Sequence, residues 1–201
     1  MPKFNKLKLE QAILYFAQKI PASFASKVKL LKLLYYLDFD HYEKYGSSVS
    51  GDTYLRFDLG PVPKHANRIL KEMEESHKLR VREYRIKREG YKARECYEAL
   101  VEPDLSVFSE TEFEMLKSVV QRFKYWTGNQ MKIATHGEAP WRLTGENREI
   151  DYRLAHYRDS WGESTKELAE EEDAVLEALQ RSNFFERATE ELRELSVHEQ
   201  K

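Results

Sequence analysis

Apolar residues recur at Leu9, Ile13, Phe16, Ala17 and Ile20 until Pro21 interrupts them, which predicts an amphipathic helix over about Lys8–Lys19. Ser26 has the side chain of an N-cap. The helix behind it, about Lys27–Tyr45, carries Val28, Leu31, Tyr35, Phe39 and Tyr42 on one face and Leu30, Leu34, Leu37 and His41 on another. A helix apolar on two faces belongs at the centre of a domain. Gly46, which adopts the left-handed conformation without strain, ends it.

From Ser47 to Gly60 the residues read as a loop with a short extended piece around Tyr54, Leu55 and Phe57. Pro61 suits the first turn of a helix, where its missing N–H goes unnoticed. With Ile69, Leu70 and Met73 as an apolar side, a third helix is expected over about Val62–Glu75. Leu79–Ile86 and Tyr91–Val101 flank Arg88-Glu89-Gly90 as the arms of a β-hairpin, and a change of phase between Val81 and Tyr84 predicts a bulge, an exposed edge or a shifted register. Ser109 with Glu112 forms a capping box ahead of Phe113, Leu116, Val119, Val120 and Phe123, so a helix follows. A shorter helix runs from Gly128 or Asn129 to about His136, while Ile150–Tyr157 suits strand or helix equally. Glu163–Gln180 is helical by composition, and the last twenty residues fray or add one more helix. The sum is an α+β fold, mainly α: a compact helical domain over 1–160 with a small antiparallel β-hairpin or sheet, and an acidic helical extension over 161–201.

The chain has 201 residues, 41% hydrophobic and 34% charged, and its 3 Trp, 12 Tyr and 10 Phe supply bulk that a disordered chain lacks. The net charge of -2 hides a gradient: residues 163–201 hold 12 acidic and 5 basic groups, leaving 28 basic and 23 acidic before them. The basic excess concentrates between Lys64 and Arg94, with 11 Lys or Arg against 5 Glu. Cys96 is the single cysteine, which excludes an intrachain disulfide and a cysteine-built zinc site and points to a reducing cytoplasm. Neither an export signal nor a membrane anchor is expected, because the longest apolar cluster near the N-terminus, Leu33–Leu37, is far too short to span.

Three groupings have the residue types for chemistry. Asp38, Asp40, His41 and Glu43 carry metal-ligating atoms, but helical geometry sends them in different directions, so they read as polar positions on a buried helix. His136 beside Glu138, and His156 before Asp159, resemble acid–base pairs without a nucleophile, and no nucleophile elbow or phosphate-cradling loop accompanies them. No enzymatic activity and no cofactor is expected; a hydrolase centred on His136 is the least favoured reading. The basic hairpin 79–101 interleaves Arg80, Arg82, Arg85 and Lys92 with Tyr84, Tyr91 and Tyr97, the side chains that neutralise phosphates and stack on bases. It suits a nucleic-acid-binding regulator, an acidic protein partner, the acidic tail folded back on it, or plain solvated surface.

Lys32-Leu33-Leu34-Tyr35-Tyr36, a break at Gly46, Leu59-Gly60-Pro61-Val62, and Thr135-His136-Gly137-Glu138-Ala139-Pro140-Trp141 follow one another in an order that resembles the Panacea domain of SocA-like antitoxins, also described as phage-associated GepA-type proteins. The resemblance spans about Leu9–Tyr157. Phe57-Asp58-Leu59 departs from the usual aromatic or Lys-Tyr lead-in, and the acidic tail lies outside the motif set. The resemblance implies an antitoxin of a bacterial toxin-antitoxin system that binds and neutralises a cognate toxin protein, in some relatives as a proteolytic adaptor delivering it to an ATP-dependent protease. It also implies structural roles for Leu34, Tyr35, Gly60, Pro61, Val62, His136, Pro140 and Trp141. With the first motif helix starting so near Met1, no added N-terminal DNA-binding module is expected. A toxin-contacting surface would draw on exposed aromatic and arginine groups, for which Tyr54, Arg56, Tyr84 and Arg85 are the candidates.

Overall fold

A computed structural model of the chain describes residues 3–84 and 94–158. The predicted hairpin turn, the helix over Glu163–Gln180 and the acidic extension lie outside the described residues. Helix α1 (Lys6–Lys19) begins two residues before the expected start because Asn5 caps it, its side chain accepting from the Lys8 amide at 3.1 Å. Helix α2 (Lys27–Tyr45) has the predicted ends: Ser26 caps the start and Gly46, at φ 73°, closes it. Leu30, Leu33, Tyr35, Leu37 and Phe39 are fully enclosed, since α1, α4 (Glu110–Phe123), α5 (Gly128–Gly137) and the 3-10 helix Tyr152–Tyr157 all pack around α2. The capping box Ser109–Glu112 opens α4 as predicted.

The expected third helix is shorter than its prediction. Gly60–Pro63 forms a strand, β2, paired antiparallel with β1 (Tyr54–Phe57), and α3 (Ala66–Glu75) starts only afterwards. Proline tolerates this because β2 is an edge strand and hydrogen-bonding positions alternate along it. Lys64 donates to the Thr53 carbonyl at 2.8 Å, which places the backbone of 62 and 60 toward β1 and turns Pro61 and Pro63 outward, where no N–H is needed. On the other side of β1 lies β5 (Glu149–Ile150), so the ambiguous segment 150–157 resolves into the end of a strand followed by the 3-10 helix.

The hairpin pairs β3 (Leu79–Tyr84) with β4 (Arg94–Ala99) in unbroken register from Leu79↔Ala99 to Tyr84↔Arg94. No bulge interrupts it. Leu79 and Val81 lie opposite Ala99 and Tyr97 on the inner face, and the change of phase leaves Tyr84 with Arg80 and Arg82 on the outer one, along an exposed edge. Tyr97 anchors β4 by donating its amide to the Ala25 carbonyl at 2.9 Å.

Candidate functional site

The three motif segments, up to about 110 residues apart in sequence, meet on one side of α2. Trp141 lies in α6 (Ala139–Arg142), and its indole N–H donates to the Phe57 carbonyl at 2.9 Å, the kind of acceptor that a half-buried indole requires. Arg56 answers by donating Nε to the Trp141 carbonyl at 3.1 Å while its guanidinium sits 4.1 Å from the indole ring. His136 stacks on the same indole at 3.9 Å and 9°. At Gly60, α2, β2 and α5 meet tightly: at φ 92°, a Cβ there would stand 2.7 Å from Thr135 Oγ1 and 3.0 Å from Lys32 Nζ. Leu34, Tyr35, Val62 and Pro140 are buried beneath this junction.

Basic groups gather on the α5 side. Lys32 is 1% exposed and donates to the outward-facing Pro61 carbonyl at 2.7 Å; burial drives its ammonium well below the usual lysine range, and Lys132 adds to this. Lys132, also buried, is lowered to about 8 by burial, with the exposed Asp58 opposing. His136 is lowered to about 3 by burial first, then by Lys132, Lys32 and Arg56, so it is a neutral imidazole at physiological pH. One ring nitrogen bonds the Asp58 backbone, while Nε2 is buried without a partner. No hydroxyl or thiol among the described residues hydrogen-bonds to His136.

Acidic groups gather on the opposite side of α6. Glu138 is 2% exposed, accepts from Tyr35 Oη at 2.6 Å, and is raised to about 7 chiefly by burial. Arg158 faces it at 3.7 Å, pairs with Asp40 at 2.7 Å and bonds Glu43; Asp40 also receives Arg122. Further along α2, Asp38 accepts from the Ser50 amide at 2.6 Å and from Tyr54 Oη at 2.7 Å, and burial raises it to about 6. His41 turns instead to the Ser47 carbonyl and to Thr111, so Asp38, His41 and the Arg158-bound pair Asp40 and Glu43 face different partners. Among the described residues no group of three or more His, Cys, Asp and Glu is placed to hold a metal ion. Asp159, the supposed partner of His156, lies outside the described residues.

The described candidate contact residues are split between two sheets, Tyr54 and Arg56 in β1 and Tyr84 in β3. Tyr54 is fully buried and bonded to Asp38, which corrects its assignment as an exposed contact: it sits in the strand that α2 covers, with its ring against Phe39. Arg56 is half-buried over Trp141, Tyr84 is half-buried at the end of β3 in the other sheet, and Arg85 lies outside the described residues. On the outer face of the hairpin, Arg80 and Arg82 share Glu98, which neutralises part of the basic charge. Among the described residues the most exposed large apolar side chains are elsewhere: Tyr157 at 70%, Tyr125 at 68% and Leu143 at 67%. Leu143 ends α6 and Tyr157 ends the 3-10 helix against which α6 packs.

Sequence reasoning passed over the buried lysines Lys29, Lys32 and Lys132, and Arg158. A signal existed for Lys32: a helix apolar on two faces leaves little solvent for lysines at 29 and 32. Nothing comparable marked Arg158. Among the described residues no helix is long and apolar enough to cross a membrane.

Comparison with known proteins gives one match: the family model described as "Antitoxin SocA-like, Panacea domain" covers residues 30–142. No curated protein and no solved structure matches the chain.

Proposed function

The chain belongs to the SocA-like antitoxin family defined by the Panacea domain, and from that membership we propose that it binds a cognate toxin protein and suppresses it by non-covalent sequestration in the cytoplasm. The observation that carries this reading is the family match itself, reinforced by how the motif residues are used. Trp141, Arg56, Gly60 and Tyr35 join secondary-structure elements to one another, as a scaffold for a surface requires, and among the described residues no hydroxyl or thiol hydrogen-bonds to His136. The protein acts by presenting a shaped surface, and its own side chains make and break no bonds.

The contact surface we assign is the outer side of α6 and the 3-10 helix after β5, where Leu143 and Tyr157 stand exposed beside Arg142 and the half-buried Trp141. Aromatic, arginine and large apolar groups are the types whose burial dominates protein–protein affinity. Co-expression with the toxin encoded by the neighbouring gene is expected to relieve growth arrest and yield a complex that co-purifies. Leu143→Asp and Tyr157→Asp should each abolish rescue while leaving thermal stability within about 0.5 kcal/mol, as exposed positions do. Rescue that survives both changes would remove this surface from the account; a neighbour that is not toxic and does not bind would remove the function. Delivery of the toxin to an ATP-dependent protease is the finer form of the same reading, and it requires toxin levels to rise when the protease is deleted.

A further inference from the structure

We propose that residues 192–197 of the acidic extension pair with the open edge of β3 and add a third, antiparallel strand to the hairpin sheet. The phase of the hairpin fixes which backbone groups are open. Leu100 donates its amide to the Lys78 carbonyl at 2.9 Å, so Lys78, Arg80 and Arg82 turn their backbone groups toward β4, and Leu79 and Val81 turn theirs away from it. The matching groups of β4 are in use, since Tyr97 donates to the Ala25 carbonyl and Ser26 bridges to Cys96. Among the described residues no strand lies along the other side of β3. The sheet of β2, β1 and β5 shows how this chain closes an edge, with Pro61 and Pro63 at the outward positions of β2. At the outward positions of β3 stand Leu79 and Val81, whose N–H groups leave that edge able to pair.

Charge selects the occupant. Two copies of β3 paired antiparallel about the middle of the strand would set Arg82 opposite Arg80 or opposite itself, which is repulsive. Arg80 has Glu98 directly across the hairpin, whereas Arg82 has Cys96 there and shares Glu98 along the diagonal. A strand on the open side therefore fits best with a carboxylate opposite Arg82 and apolar residues opposite Leu79 and Val81. Residues 163–201 hold 12 acidic and 5 basic groups, and within them Leu195 and Val197 alternate with Glu194 and Ser196. Setting Leu195 opposite Val81 brings Val197 opposite Leu79, Glu194 opposite Arg82 and Leu192 opposite Tyr84. Chain length permits the pairing: residues 159–191 would span about 50 Å even at the helical rise, against a radius of gyration of about 15 Å for a domain of roughly 150 residues.

The pairing lies within one chain and does not depend on toxin binding, so its test uses the free protein. Backbone amide hydrogen exchange of the full chain is followed by NMR. In this register Val81 and Leu195 exchange both of their backbone hydrogen bonds, so the Val81 amide should exchange about 100-fold or more slowly than an open amide. Leu195→Pro removes the donor and the close approach without touching the hairpin itself. It should cost at least about tenfold of the protection at Val81 and leave Arg82, whose amide belongs to the ladder with β4, unchanged. Glu194→Arg should cause the same loss by setting like charges opposite each other, and adding Arg82→Glu to that variant should restore the protection. Fast exchange at Val81 in the parent chain, or protection that survives Leu195→Pro, overturns the proposal. Protection that grows with protein concentration assigns the edge to a second copy and overturns it as well.

Discussion

Glu138 shows at the scale of one residue how burial turns an ordinary carboxyl into a pH-dependent part of the fold. Its ordinary value is 4.5 and the folded chain raises it to about 7, so between those limits the native state keeps a proton that the unfolded chain has lost. Native stability therefore falls as pH rises through that window and levels off above it. Asp38, raised from 3.8 to about 6, acts in the same direction. His136 opposes both, since between about 3 and 6.5 the unfolded chain binds a proton that the folded one refuses. The net curve mixes these contributions, and a difference measurement separates them. Glu138→Gln should gain on the parent protein by the order of 3 kcal/mol between pH 4.5 and 7.5, read from denaturant midpoints at the two pH values. An unchanged difference would place the shift on another group. Tyr35→Phe removes the donor facing Glu138 and should cost about 1–3 kcal/mol, because the carboxyl is left short of a partner away from water.

At the scale of elements, Gly46 and Gly60, two of the glycines that hold positive φ, have different surroundings and so different expected costs. A side chain on Gly46 meets nothing within 4 Å, and Gly46→Ala should lose about 1 kcal/mol from the left-handed backbone alone. At Gly60 the same change also drives a methyl group into Thr135 and Lys32, and the loss should exceed that of Gly46→Ala by at least about 1 kcal/mol in urea unfolding. Equal costs would mean that α5 moves away from β2 without resistance. Helices were the legible elements: Ser26, Gly46 and the Ser109–Glu112 box set ends through contacts within a few residues of themselves. Gly60–Pro63 was misread for the same reason inverted. Proline at a helix start and proline on the outward positions of an edge strand satisfy one local rule, and only the pairing with Tyr54–Phe57 distinguishes them.

For the whole molecule, the packed unit reaches well beyond the family match that ends at residue 142. Tyr152 stacks on Phe39 at 4.5 Å and donates to the Asp52 carbonyl at 2.6 Å, and Arg158 ties the end of the 3-10 helix to Asp40 and Glu43 of α2. A chain shortened to residues 1–158 should unfold cooperatively, whereas one shortened to 1–142 should lose β5 and Arg158 and show no sharp thermal transition. The buried lysines govern the alkaline side. Lys29 is lowered to about 7 and Lys132 to about 8 from 10.5, mainly by burial, so from pH 7 upward the unfolded chain holds protons that the folded one has shed. Stability should therefore increase from pH 7 toward 10, and Lys29→Met should flatten that rise in Tm.

What the sequence determined by itself was set by neighbours along the chain: the helix caps, the central apolar helix, the mainly α composition and the order of the family motifs. Trp141's need for an acceptor was legible too, because an indole N–H lacks alternatives. The tertiary structure alone decided that Tyr54 is enclosed rather than offered to a partner, that Lys32 and Lys132 are stripped of water, and that Glu138 and Arg158 face each other. Burial and charge balance depend on what arrives from elsewhere in the chain, and periodicity reports only which side of an element is apolar.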